Sequence, residues 1–393
     1  MEYVKLGDIC EVLNGYAFKS ENYTDNGIRV IRITNVQKGF VEDNDPQFYP
    51  IETQSQIEKY LLRGGDLLIS LTGNVGRVAL LDEKFLPAAL NQRVACLRLK
   101  NEKVLKSFLY HLLNSDYFEN ECITSAKGVA QKNMSTEWLK EFKIPLFPVD
   151  IQYEISNILD KVTDLINIRK EQLKKLDEIV KARFVELFGS IHDEKFEMKS
   201  LPEIVAKDKN AIKRGPFGGA LKKEDFVETG YLVYEQRHAI HNDFEYEKYY
   251  ITKEKYEDMI GFKVVPGDLI ISCSGVTLGR IAEVPRDAKE GIINQALLKL
   301  SLNQTVMKNT FFIHQFRSEE IQEILFGFSR GSGIPNMPSM NEVKAVKFIC
   351  PPIEQQELFT AFVEQTDKSK LEVQKSLEKL ELLKKALMQK YFG

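Results

Sequence analysis

The chain repeats itself at an offset of about 200 residues, and no other feature narrows its possible folds so much. In the first half, Gly65-Asp66-Leu67-Leu68-Ile69-Ser70 leads through Gly73 to Gly76-Arg77. In the second, Gly267-Asp268-Leu269-Ile270-Ile271-Ser272 leads through Gly275 to Gly279-Arg280, with one inserted residue. Fifteen positions beyond each Gly-Arg pair stands Asn-Gln, at Asn91-Gln92 and Asn294-Gln295. Lys127-Gly128 with Asn133-Met134 is answered by Arg330-Gly331 with Asn336-Met337. Pro148, Gln152 and Glu154 are answered by Pro351, Gln355 and Glu357, and Thr163-Asp164 by Thr366-Asp367. The segments between these marks diverge. Framework kept while loops change is the pattern of one scaffold used twice on two different targets. The matched residues then brace the fold, and the divergent ones do the reading.

Each copy has a globular part and a helical tail. Short β-rich runs bounded by Gly and Asn (Ile28 to Ile33, Asp66 to Leu71, Val94 to Leu99, Leu269 to Cys273) read as half-buried strands. Val104 to Asn114 and Asn309 to Phe326 read as amphipathic helices. The fold class is therefore α+β, with two similar mixed α/β domains at 1–148 and 189–349. The tails, 149–188 and 350–393, are long helices. Ile155, Leu159, Val162, Ile166, Arg169, Leu173, Leu176, Val180, Arg183 and Leu187 step alternately by four and three, the a/d seam of a coiled coil. A helix from Ile151 to Phe188 spans about 57 Å, and Gly189 is placed to end it. The second seam runs Phe359, Val363, Thr366, Lys370, Val373, Leu377, Leu380, Lys384, Leu387 and Tyr391. One small domain cannot cover so long an apolar stripe, so the two helices are expected to pair as an antiparallel coiled coil joining the domains.

Catalytic signatures are missing. The sequence has no GxxxxGK[ST] and no glycine fingerprint for a dinucleotide or methyl donor. Five histidines make no HExxH, and His238 and His241 have no companion ligands, so no metal site is expected. The five cysteines are far apart without a CxxC pair, which suits a reducing cytoplasm rather than a disulfide framework. No apolar run approaches the roughly 20 residues of a membrane span, and the N-terminus does not read as a signal peptide. The net charge of −3 argues against a wholesale basic nucleic-acid binder but leaves room for local basic surfaces.

The binding material lies in glycine-bounded loops. Arg32, Thr34, Asn35, Gln37 and Lys38 crowd one segment, and Gln236, Arg237 and His238 follow Glu235 in the second half. Asn and Gln match the donor–acceptor pair of adenine in the major groove, and Arg matches guanine. Lys19, Arg77, Lys127, Lys132, Lys213, Arg214, Lys222, Lys223, Arg280 and Arg330 are candidate phosphate contacts, which supply affinity rather than specificity. Asn74 and Thr277 lie in the two glycine–arginine loops and complete the DNA-binding set.

This ordered set of repeats resembles the DNA-specificity subunits of type I restriction–modification systems over essentially the whole chain. The marks are the duplicated Gly-Asp-Leu-(Leu/Ile)-Ile-Ser runs, the Asn-Met elements at Asn133 and Asn336, and the Pro-x-x-x-Gln-x-Glu runs at Pro148 and Pro351. The resemblance implies two target-recognition domains, each binding one half of a split double-stranded DNA sequence, with the paired helices fixing the spacer. It implies docking of modification subunits that carry S-adenosylmethionine and methylate adenine N6, and of restriction subunits that use ATP and Mg for translocation and cleavage. The chain itself would then hold no cofactor and catalyse nothing. It would bind DNA weakly when alone, with its half-site readers about one DNA turn apart. Two other classes are open to the residues: a self-contained nuclease or methyltransferase, and a non-catalytic scaffold joining two protein-binding domains.

Overall fold

In the computed structural model, residues 2–125, 133–327 and 335–393 are described. They form two compact units, one of residues 1–171 with 374–393 and the other of residues 172–373. Each unit holds one globular part and a stretch of each long helix.

The first unit is built on a four-stranded antiparallel sheet in the order Cys10–Asn14, Val94–Leu99, Leu67–Ser70, Val78–Leu80. Its middle strand is buried at every position, as the uninterrupted apolar run Leu67-Leu68-Ile69 demands. A second sheet orders Phe48–Tyr49, Ile28–Ile31, Ala88–Leu90, with the last two parallel. Glu2–Lys5 pairs with Lys143–Leu146 beside the start of the long helix. The second unit repeats this plan. Ile212–Arg214, Leu297–Leu300, Leu269–Ser272 and Ile281–Glu283 make its four-stranded sheet. Tyr231–Tyr234 lies parallel to Gly291–Ile293 in a five-stranded one. Duplication therefore governs topology as well as motifs. The predicted helix over 309–326 is two, Asn309–Phe316 and Glu319–Phe326, because Ser318 caps the second one by accepting from the Ile321 amide at 3.3 Å.

The long helices run Val149–Phe188 and Ile353–Phe392. In the first unit Ile155 and Leu159 share a core with Phe392, and Leu387, Met388 and Tyr391 pack against it. Arg169 Nε donates to Ser376 Oγ at 3.1 Å, and Lys170 meets Glu381 at 3.3 Å. In the second unit Phe184 and Phe188 lie 5.4 and 5.6 Å from Phe359, and Lys370 meets Asp177 at 2.6 Å. Within each unit residue numbers rise along one helix as they fall along the other, so the pairing is antiparallel. Of the predicted seam, Leu159, Val162, Ile166, Val180, Val363 and Leu377 are buried. Leu173, Leu176, Val373, Leu380 and Leu387 are half-buried. Near the end of the first helix the fully buried face moves from the predicted Arg183 and Leu187 to Phe184 and Phe188. A helix of 3.6 residues per turn drifts against a 3.5-residue seam, and here its buried face meets the globular core together with Phe359 of the partner helix.

The starts of the long helices correct the repeat alignment. Gln152 Oε1 accepts the Leu105 amide at 2.8 Å, and its Nε2 donates to the carbonyls of Lys103 (2.9 Å) and Phe147 (2.8 Å). Gln356, not Gln355, does the same with Lys308, Val306 and Pro351, at 2.9, 3.0 and 2.8 Å. Pro148 therefore corresponds to Pro352, whose carbonyls accept the Gln152 and Gln356 amides. Thr366 lies in the seam while Thr163 lies beside it.

Candidate nucleic-acid interface

In both units the candidate readers follow the equivalent strand of the second sheet. Ile28–Ile31 continues into a single 3-10 turn, Ile33–Asn35, and Tyr231–Tyr234 continues into the short helix Gln236–His241. The same place in the scaffold thus carries two different local structures.

Two of the predicted readers belong to the scaffold. Asn35 is buried, its Oδ1 accepting the Arg32 amide at 2.9 Å and its Nδ2 donating to the Glu42 carbonyl at 3.0 Å. His238 is fully buried, with Nδ1 accepting the Glu235 amide at 2.9 Å and Nε2 at 2.9 Å from the Tyr246 carbonyl. Both side chains spend their hydrogen bonds holding the reader segment in shape, so neither is presented to a duplex.

The remaining described candidates are at least partly accessible. Thr34 and Lys38 are exposed, and Arg32 and Gln37 are half-buried. Arg32 meets Asp45 at 3.1 Å. Lys38 bonds Asp116 at 3.0 Å and Glu119 at 2.8 Å. Burial depresses its basicity, but those two carboxylates outweigh the effect and raise its pKa. Arg237 is exposed, lies over the Tyr246 ring at 4.4 Å and meets Asp243 at 3.3 Å. Lys19 and Lys222 are exposed, each beside a glutamate, Glu21 at 3.8 Å and Glu224 at 3.3 Å. Lys213 stands over Phe262 at 4.6 Å. Lys127, Lys132 and Arg330 lie outside the described residues.

The glycine–arginine loops are built alike. Ser70 Oγ accepts the Arg77 amide at 3.0 Å and donates to the Asn74 carbonyl. Ser272 Oγ accepts the Arg280 amide at 2.9 Å and donates to the Thr277 carbonyl. Gly73, Gly76, Gly275 and Gly279 all adopt positive φ, which a side chain resists. Asn74 and Arg280 are exposed, and Arg77 and Thr277 half-buried. Each loop also touches its divergent segment. Arg77 donates to Gln37 Oε1 in the first unit. In the second, Gln236 Nε2 donates to Ser274 Oγ at 2.8 Å, and Arg214 Nη2 donates to Asn336 Oδ1 at 3.1 Å. The fold thus gathers residues separated by 38 to 122 positions in the chain.

Two features escaped the sequence reading. Gly15 and Gly215 are equivalent: a Cβ would sit 2.1 Å from the Asn91 carbonyl oxygen and 1.8 Å from that of Asn294. Their only sequence signal is a lone glycine just after a strand. The other is charge asymmetry. Residues 207–223 hold six Lys or Arg against one acid, whereas residues 7–22, leading from the equivalent strand, hold Lys19 alone against three acids.

Among the described residues, no group of three His, Cys, Asp or Glu is placed to hold a metal ion. Burial pushes the thiols of Cys10 and Cys273 up to about 12. No described helix is long and apolar enough to cross a membrane.

A sequence model of the type I restriction modification DNA specificity domain matches residues 1–178 and again 194–382. The chain belongs to that family. Among specificity-domain relatives, the type I restriction enzyme EcoBI specificity subunit of Escherichia coli is 24% identical over 419 residues, covering 99% of this chain and 85% of the relative. The EcoAI specificity subunit of Escherichia coli is 35% identical over 184 residues, and the MjaVIII specificity subunit of Methanocaldococcus jannaschii 29% over 184. Those alignments span 46% of this chain and only 30% and 43% of the relatives. Among solved structures, the type I S subunit from M. genitalium superposes with a TM-score of 0.57 at 16% identity, covering 100% of this chain and 96% of that one. A chain from a study of type I system assembly and conformational transition gives 0.59 at 16% identity, covering 100% and 97%. At that identity the likeness concerns the specificity-domain fold.

Proposed function

We propose that this chain is the DNA-specificity subunit of a type I restriction–modification complex. It reads a split double-stranded target with one globular unit per half-site. The observation that carries the reading is the family match falling once on each half of a scaffold whose framework bonds are duplicated and whose reader segments differ. Arg32, Thr34, Gln37 and Lys38, with Asn74 and Arg77, serve the first half-site. Gln236 and Arg237, with Thr277 and Arg280, serve the second. Lys19, Lys213, Arg214 and Lys222 meet phosphates and set register rather than sequence. The paired helices carry modification subunits and fix the spacer. Adenine methylation with S-adenosylmethionine, and ATP- and Mg-dependent cleavage, belong to partner subunits, and this chain is non-catalytic and works in the cytoplasm.

Modified-base sequencing of a host carrying the neighbouring methyltransferase, with and without this gene, tests the reading. Loss of N6-methyladenine at one split motif on deletion supports it and supplies both half-sites. Unchanged methylation at every motif, with the methyltransferase active, overturns it.

A further inference from the structure

Val276 has no folding reason to be where it is. It is 96% exposed, while its neighbours in the same turn are tied down. Gly275 donates to the Pro335 carbonyl at 2.8 Å, Leu278 closes the turn on the Gly275 carbonyl at 3.0 Å, and Gly279 donates to the Ser272 carbonyl at 3.0 Å. The second central position of the turn, Thr277, has its carbonyl engaged by Ser272 Oγ. Turn tips favour Gly, Pro, Asn, Asp and Ser, whose backbone preferences or local hydrogen bonds suit them to the turn. The first unit follows that preference with Asn74, whose counterpart by its serine bond is Thr277, so Val276 is the residue by which the second loop is longer. A valine at such a tip gains nothing from the core and leaves two methyl groups in water.

Its surroundings name the occupant. Ser274, two residues before Val276, holds the candidate reader Gln236, and its backbone bridges to Asn336, which Arg214 bonds. The Arg214 guanidinium lies 5.3 Å over the ring of Phe217, a second strongly exposed apolar side chain. Arg280 is exposed in the same loop and Arg214 bonds the residue that bridges to Ser274, so the tip stands beside cations suited to a polyanion. On a duplex the apolar group that a major-groove edge presents is the thymine C5-methyl. We propose that Val276 reads a thymine methyl in the half-site of the second unit, while the shorter matching loop of the first unit offers Asn74 to a polar base edge. The assignment rests on the specificity-subunit reading and adds one residue and one base to it. The bonds that fix the turn before DNA arrives spare the cost of ordering it.

The test uses the full chain assembled with its modification subunits, and duplexes carrying the split motif with each thymine of the second half-site replaced in turn by deoxyuridine, which lacks the methyl. At one position the wild-type complex is expected to bind the deoxyuridine duplex about fourfold more weakly, the worth of one buried methyl group. Val276→Ala binds both duplexes alike there, with thermal unfolding unchanged because the side chain touches no core. Equal wild-type binding to thymine and deoxyuridine at every position, or discrimination undiminished in V276A, overturns the assignment. If the complex selects no split motif at all, the specificity reading itself fails, and this assignment falls with it.

Discussion

Gln152 and Gln356 stand at equivalent places 204 residues apart, each fully buried and each making the same three hydrogen bonds from a long helix into its own globular unit. One side-chain oxygen takes an amide from the loop before a short helix, and one side-chain nitrogen serves two carbonyls. Gln152→Leu leaves that amide and both carbonyls without their partner. It is expected to destabilise the first unit by roughly 3 kcal/mol. Gln152→Glu should be worse, since a carboxylate cannot donate to Lys103 and Phe147 and would be buried charged. Gln356→Leu should do the same to the second unit alone. Chemical denaturation followed by hydrogen exchange localises each loss, and a loss shared equally by both units would contradict the separate latches.

The same pair shows what was legible in the sequence. The seam was readable because a step of four and three survives polar members such as Arg169, Lys370 and Lys384. The latch was misaligned by one because Pro351-Pro352 and Gln355-Gln356 each offer two candidates, and only the helix face decides between them. One residue turns a helix by about 100°, which puts Gln356 in the core and Gln355 in solvent. The segments that diverge between the halves were located, but not which of their side chains face outward. Asn35 and His238 sit in single turns too short for a periodic pattern, and their enclosure depends on Glu42 and Tyr246 farther along the chain. The sequence also gave no sign that Arg77 would reach Gln37.

His314 makes the second unit sensitive to mild acid. It packs against Phe359 with ring centroids 5.2 Å apart. Burial, then Arg317, hold its pKa down at about 4. Asp367 and Asp177 pull the other way, and Lys370 adds to the depression. Unfolded, a histidine titrates near 6.5. Between those values the unfolded chain binds the extra proton, so stability is full above about pH 6.5 and falls as pH drops toward 4. His111 in the first unit is shifted the same way, chiefly by burial, although its bond to Asp160 opposes the shift. The melting temperature is expected to fall between pH 7 and pH 5, before most carboxylates titrate. His314→Phe should flatten that fall if the replacement packs, and an unchanged slope would discount the histidine.

Phosphate contacts and base contacts separate by their salt response. Lys222 and Lys223 are exposed in the basic stretch of the second unit. Replacing both with Ala should weaken DNA binding by the assembled complex for all sequences alike, reducing the log–log salt slope by about 1 to 2. Arg237→Ala should instead relax the preference at one position of the second half-site by roughly 1–3 kcal/mol, with the first half-site unchanged. Competition binding at several salt concentrations distinguishes the two. An Arg237→Ala effect spread evenly over both half-sites would make Arg237 a phosphate contact.

If the paired helices set the spacer, their length should be written into the target. Inserting one heptad into both, after Gln172 in the first and before Gln374 in the second, keeps each seam in phase and leaves both glutamine latches untouched. Seven residues add about 10 Å of helix, which corresponds to about three base pairs at 3.4 Å each. The methylated motif of a host expressing this variant is expected to keep both half-sites and lengthen its spacer by about three. Methylation retained at the original spacing would show that the helices do not act as the ruler. Half-sites altered along with the spacing would mean that the reader segments are not set by the globular units alone.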